Sequence, residues 1–249
     1  MTILSLNAHR NLGWRPAQAY GFARNLSLVP ITADELPRLA KDMTVAFRKQ
    51  GNQWQAVTLL GPMPGLNLQV QADGCWSGRF VPGVLLSYPF QLSPDCTTLA
   101  FWPDYTPEIA GIKGVEPLFV DGQLSTVLAA ALAFLQVQQQ AMNRLGLVLS
   151  WLAQRNLLQA WQIPEVVETP HLARYTGLFA VDRNRLEALD EADWFALHRI
   201  MPVSTVLTVV NAHLSSLDHA RVFNLHSSDM GLASVRHINP DMRPRDGEL

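Results

Sequence analysis

The sequence predicts an α+β fold: a β-rich N-terminal half with hairpins, packed against a long helix and further helices of the C-terminal half. Three observations lead there. Residues 53–76 carry strand-length apolar stretches, broken by Gly61-Pro62-Met63-Pro64-Gly65 and by Asp73-Gly74. Residues 125–152 place apolar side chains at spacings of three, four and seven, the pattern of a helix of about eight turns. A Pro- and Gly-containing connector at 103–122 joins the two halves, and each half needs the other to bury its apolar side chains.

The elements follow in order. Residues 1–24 are polar with scattered aromatics and read as an irregular N-terminal arm. Residues 25–226 read as a single α+β domain, and 227–249 as a polar, mobile tail. Asn25 to Ile31 is a strand, after which Thr32 caps a short helix with Asp34 and Glu35 in its first turn. Val45–Phe47 and Gln53–Leu60 are strands. Leu66, Leu68, Val70 and Ala72 alternate with polar residues, so 66–72 is a half-buried strand, and Asp73-Gly74 turns it back into Cys75-Trp76. Val84 to Leu92 has no clear local pattern, and Thr97 to Trp102 is a further strand. Ser125 caps the long helix, whose stripe is interrupted around Gln138-Gln139 by a polar contact or an exposed region. Gly146 marks a bend in the helix. Gly177–Val181 is a short strand, and Asp182 and Asp190 cap two helical segments that end near Arg199. Val203 to Leu217 repeats a helical stripe, although its β-branched content leaves a strand open.

Composition limits the function. The chain has 249 residues, 48% of them hydrophobic, which is enough for a sizeable core. Charged residues make up 16%, against a usual figure of about 25%. That leaves either a large core or an apolar surface that meets a partner. A net charge of −2 lacks the field of a nucleic-acid binder. Arg10, Arg15 and Arg24 precede the first acid, Asp34, and give the arm a mildly basic character. Cys75 and Cys96 are too few for a disulfide scaffold or a metal-ligand motif, and reduced thiols suit the cytoplasm, the expected location. The first residues lack a secretory pattern. Leu124–Leu135 is too short for a membrane span, and Ile200–Leu217 contains too many polar groups for one.

No common catalytic motif is present. The nucleotide patterns G-x-G-x-x-G and G-x-x-x-x-G-K-S/T are absent, as is G-x-S-x-G. No cofactor is implied. His213, His219 and His226 are spaced by six and seven residues, and seven residues on a helix put two rings about 10 Å apart, too far for one metal ion. No metal site is therefore expected. His198 suits a helix end, and His213 suits a hydrogen-bonded place in the core. Asp104 lies between Pro103 and Tyr105, beside Trp102 and four residues before Glu108. An acid flanked by aromatics at a strand end suits a sugar or peptide ligand, and suits an ordinary turn equally. The ligand-binding candidates are Trp76, Tyr88, Trp102, Asp104, His198 and His213; catalytic residues are not identified.

Several patches together are similar to the bacterial SapC family, whose label comes from surface-layer-associated proteins. They are Ala8-His9-Arg10, Val29-Pro30-Ile31-Thr32, Gly65 to Leu68 through Ala72 to Trp76, Phe80-Val81-Pro82, Tyr88-Pro89-Phe90, Leu118-Phe119, Ala131 to Leu135, Gly177 to Asp182, Leu186, Ala188-Leu189-Asp190, Leu197-His198-Arg199 and Ala212 to Leu217. They span about residues 8–226. The chain departs from the family pattern at Leu86-Ser87, where basic residues are expected before Tyr-Pro-Phe, and this puts an anionic contact there in doubt. The resemblance implies an accessory role in surface or nutrient-uptake systems, with a functional link to halogenase-like or cupin-like proteins. It carries no established catalytic residues.

Three readings follow. The chain is a non-catalytic cytoplasmic accessory or binding protein, with a protein or peptide partner, a small ligand or a second copy of itself. Alternatively it is an enzyme with a site built from Asp104, His198 and His213. Thirdly it is a surface-layer structural component.

Overall fold

The computed structural model describes residues 1–161 and 175–217. Its elements in chain order are α1 (Leu6–His9), β1 (Leu12–Trp14), a 3-10 turn (Gly21–Ala23), β2 (Leu28–Ile31), α2 (Leu36–Leu39), β3 (Val45–Gln50) and β4 (Gln53–Leu59). Next come α3 (Gly83–Leu86), β5 (Phe90–Leu92), β6 (Leu99–Phe101), β7 (Glu108–Ile109), β8 (Glu116–Pro117), β9 (Phe119–Val120) and β10 (Gln123–Leu124). The helical half holds α4 (Thr126–Gln154), β11 (Leu158–Ala160), β12 (Leu178–Val181), α5 (Arg183–Glu187), α6 (Glu191–His198) and α7 (Val203–Ser216). The α+β class is as the sequence predicts. The expected tail at 227–249 lies outside the described residues.

The β3–β4 hairpin is central. Its register runs from Val45↔Thr58 to Gln50↔Gln53. Gly51, at φ +59°, supplies the left-handed conformation of the turn. Among the described residues the largest sheet has the order β11-β12-β3-β4-β2. The hairpin is buried at its open end and exposed at its turn. Both faces are covered at the buried end, so its sequence there is mostly apolar on both faces rather than alternating, with buried Thr58 donating to the Thr44 carbonyl. Val45, Phe47 and Ala56 point into a core shared with Leu36, Leu149, Leu152, Val206 and Val210 of α2, α4 and α7. Ala46, Val57 and Leu59 point the other way, towards Leu28, Trp161 and Tyr175. Pro30 sits on the edge strand β2, where a missing N–H is tolerated.

The long helix spans Thr126–Gln154 without a break. Gly146 allows a close approach instead of the expected bend: a Cβ there would lie 2.7 Å from the Trp54 carbonyl oxygen. The polar interruption of the stripe also has a partner, since Gln138 packs against Gly83 of α3. Asp182 and Asp190 cap α5 and α6, accepting from the Arg185 and Asp193 backbone N–H groups at 3.2 and 2.8 Å. The 203–217 stripe forms helix α7, which resolves the strand alternative. Among the described residues no helix is long and apolar enough to cross a membrane.

Two expectations need correction. The arm is not wholly irregular: β1 is the middle strand of a β7-β1-β8 sheet, paired Leu12↔Ile109 and Gly13↔Pro117. Leu4 and Trp14 join Phe90, Phe101, Leu118 and Leu128 in a second core under the N-terminal half of α4. Residues 66–72 do not form a strand; a single bridge, Val70↔Trp76, survives. Loop contacts claim this segment. The Leu68 N–H donates to the Leu60 carbonyl at 2.8 Å, and buried Asn67 donates to the Ala23 carbonyl at 2.9 Å. The Asp73-Gly74 turn is present, with Asp73 accepting from the Cys75 N–H at 2.8 Å.

Candidate functional site

The β5–β6 hairpin pairs Phe90↔Phe101, which brings Tyr88, just before β5, close to Trp102, just after β6. The Trp102 backbone N–H donates to the Pro89 carbonyl at 2.9 Å, and its indole N–H donates to the Phe90 carbonyl at 3.3 Å. Pro89 follows a cis peptide bond. Phe22, from the 3-10 turn of the arm, stacks on Tyr88 at 3.7 Å and 10°. Trp102 stands edge-on to both rings, 5.5 Å from Phe22 and 5.3 Å from Tyr88. The array continues through Tyr20 to Trp76 at 5.5 Å. On its other side Tyr105 meets Tyr88 at 5.8 Å and stacks on Phe101. Four stretches distant in sequence thus build one half-buried aromatic surface, in which the edge-to-face contacts are of the kind rings prefer.

A polar rim borders these rings. The Arg15 backbone N–H donates to the Tyr105 hydroxyl at 2.9 Å. The Arg15 guanidinium grips Glu108 with two bonds, at 3.0 and 2.8 Å, and also donates to the Lys113 carbonyl at 3.3 Å. Its hydrogen bond from Arg15 holds the Glu108 carboxyl below the usual carboxylate range, and the same contact raises Arg15. Both side chains are well exposed, so the pair adds little stability. Exposed Asp104 lies on the turn beyond Trp102. Burial raises the Tyr88 phenol, and the neighbouring Tyr105 and Asp104 charges raise it further. Among the described residues the Tyr88 hydroxyl has no hydrogen-bond partner, and it is not one of the enclosed polar atoms.

Four of the six candidates, Trp76, Tyr88, Trp102 and Asp104, therefore fall in one region. The two histidines do not join them. His213 is wholly enclosed. Strand β12 pairs with β3 only through Leu178↔Arg48 and Phe179↔Phe47; continued, that register would bring Val181 to Val45. The His213 ring fills this place: Nε2 accepts from the Val181 N–H at 3.1 Å and Nδ1 donates to the Val45 carbonyl at 3.0 Å. Ser216 completes the pair by accepting from the Val45 N–H at 2.9 Å. Burial lowers the His213 pKa to about 4, opposed in part by the Val45 bond. A neutral ring with both nitrogens occupied has none left for proton transfer. His198 is exposed at the end of α6. His219 and His226 lie outside the described residues. Cys75 and Cys96 are both free, and the Asp73 hydrogen bond pushes the exposed Cys75 thiol up, away from thiolate reactivity.

Tyr20, Phe22, Tyr105 and Arg15 are the members of the site that sequence reasoning misses. The arm carries three of them, and only its tertiary pairing brings them to Tyr88. In the sequence Thr32 reads as the cap of α2 with Asp34 and Glu35 in its first turn, whereas α2 starts at Leu36 with no acid in its first turn and its N-cap position is held by Glu35. Glu35 is buried, accepting from the Thr32 N–H and hydroxyl at 2.8 and 2.9 Å and from the Gly83 N–H at 2.6 Å. Its sequence signal is the Thr32-x-x-Glu35 spacing of a capping box.

The match to known families spans both cores and this aromatic surface: the family model described as SapC covers residues 4–222. The chain belongs to the SapC family. No curated protein and no solved structure matches it. Every element of the SapC fold described above, from α1 to α7, lies inside the matched span. Among the described residues no three His, Cys, Asp or Glu side chains converge as metal ligands.

Proposed function

We propose that this SapC-family chain is a non-catalytic cytoplasmic accessory protein of a bacterial surface or nutrient-uptake system. It engages a protein or peptide partner through the aromatic surface around Tyr88. The observation that carries this reading is the Tyr88 hydroxyl, without a hydrogen-bond partner among the described residues and set within a braced array of rings beside Asp104. Tyr, Trp and Arg dominate the energetics of protein interfaces because each combines large apolar area with a polar tip. Trp76, Trp102, Tyr88, Tyr105 and Arg15 present that combination on one surface held together by ring contacts and hydrogen bonds. The halogenase-like and cupin-like proteins implied by the family resemblance are the first partners to test.

The test is photo-crosslinking in the source bacterium, with p-benzoylphenylalanine placed at Tyr88, at Tyr105 or at exposed Thr208 of α7. The reading expects one and the same adduct from Tyr88 and Tyr105 and none from Thr208. Identical patterns from all three positions, or no adduct from any, would overturn it.

A further inference from the structure

We infer that the groove between the turn end of the β3–β4 hairpin and the middle of α4 is a binding site for a neutral saccharide. Its volume is about 760 Å³, within the range of about 300–1,000 Å³ typical of small-molecule sites. It is lined by Asn52 at the hairpin turn, by Gln139 and Asn143 on α4, and by Gln50, Gln53 and Gln55 of the hairpin, of which Gln55 donates to the Gln50 side-chain oxygen. The lining residues include no carboxylate, and Arg144 is the one cation among them. A carboxamide offers a donor and an acceptor side by side, and a hydroxyl group both donates and accepts. A lining rich in carboxamides and free of carboxylates among the described residues therefore matches a ligand dense in hydroxyls.

The α4 wall is preorganised. Gln139 donates its amide N–H to the Asn143 side-chain oxygen at 2.8 Å, one helical turn away. Among the described residues the Gln139 oxygen and the Asn143 amide hydrogens have no other hydrogen-bond partner, which leaves an acceptor and a donor for a ligand. The opposite wall supplies Trp54, half-buried and braced edge-on by Phe179 at 4.9 Å and 77°. Among the described residues its indole N–H has no acceptor, and it is not an enclosed atom. The C–H hydrogens on one face of a pyranose ring carry partial positive charge and are attracted to the negative face of an indole. A fixed indole opposite a row of carboxamides thus meets both the apolar face and the hydroxyl rim of a sugar. Gly146 keeps the two walls close, because its missing Cβ lets the helix approach the Trp54 carbonyl.

The test is isothermal titration of the full chain with maltose, cellobiose and N,N′-diacetylchitobiose, and with tetra-alanine as a peptide control. At least one disaccharide should bind. Asn143→Ala, at an exposed helix position, should weaken it about tenfold or more while leaving the thermal melt unchanged. Trp54→Phe should weaken it as well, and Tyr88→Phe should leave it unaltered. The proposal is overturned if none of the three sugars binds, if only tetra-alanine binds, or if Asn143→Ala binds as the parent does.

Discussion

Replacing His213 by glutamine and comparing the acid sensitivity of the two chains tests how α7 is tied to the sheet. The folded imidazole sits at about 4, against 6.5 for the free side chain, because burial penalises its cation. Between those values the unfolded chain takes up a proton that the folded chain refuses. Stability is therefore fully present above about pH 6.5 and falls as the pH drops towards 4. At about 1.4 kcal/mol per factor of ten, the loss is about 2 kcal/mol by about pH 5 and about 3 kcal/mol at its full extent. The glutamine side chain offers a donor and an acceptor but does not titrate. Carboxylates common to both chains cancel in the comparison. Urea unfolding followed by tryptophan fluorescence, at about pH 7.5 and about pH 5, gives the two differences. The parent should lose about 2 kcal/mol more than His213→Gln over that interval. Equal losses in the two chains would refute the placement of a neutral imidazole between Val45 and Val181.

Three further outcomes follow from packing and hydrogen bonding. Gly146→Ala should lower the melting temperature although alanine favours helix by about 1 kcal/mol, because its Cβ meets the Trp54 carbonyl and overpacking costs about 1–3 kcal/mol. Glu35→Ala should cost about 3 kcal/mol in urea unfolding, since it strands the buried Thr32 and Gly83 N–H groups that the carboxylate now satisfies. Asp190→Ala should cost about 1 kcal/mol by the same measurement through loss of the α6 cap.

Much of the helical half is legible in the sequence because its signals are local. A Leu-rich stripe at helical spacing, and Asp182 and Asp190 set just before their helices, need no distant partner to be read. The β half is harder for the opposite reason. The alternation from Leu66 to Ala72 resembles a strand, yet the side chain of Asn67 and the backbone of Leu68 are drawn into contacts with Ala23 and Leu60 that no local pattern reveals. Strand β1 is three residues long and finds its partners some hundred residues later, at Ile109 and Pro117. The candidate site shows the same division. Trp102 and Asp104 stand out in the sequence as aromatics beside an acid, whereas Phe22 becomes visible only once the arm is folded against Tyr88. His213 reads as a hydrogen-bonded core residue; its position between two strands depends on where α7 docks.

The order β11-β12-β3-β4-β2 has a consequence for how the protein is made. During synthesis β2, β3 and β4 emerge early and can pair at once, because their contacts are short-range. The other edge of β3 must wait for β12, more than a hundred residues later, and for His213 and Ser216 later still. Closing so long a loop is entropically slow. For most of translation the nascent chain therefore exposes the open edge of β3, the kind of edge that recruits other chains. Aggregation should accordingly be worst for chains that stall between β4 and β12, and a chaperone that shields β3 would act in that window.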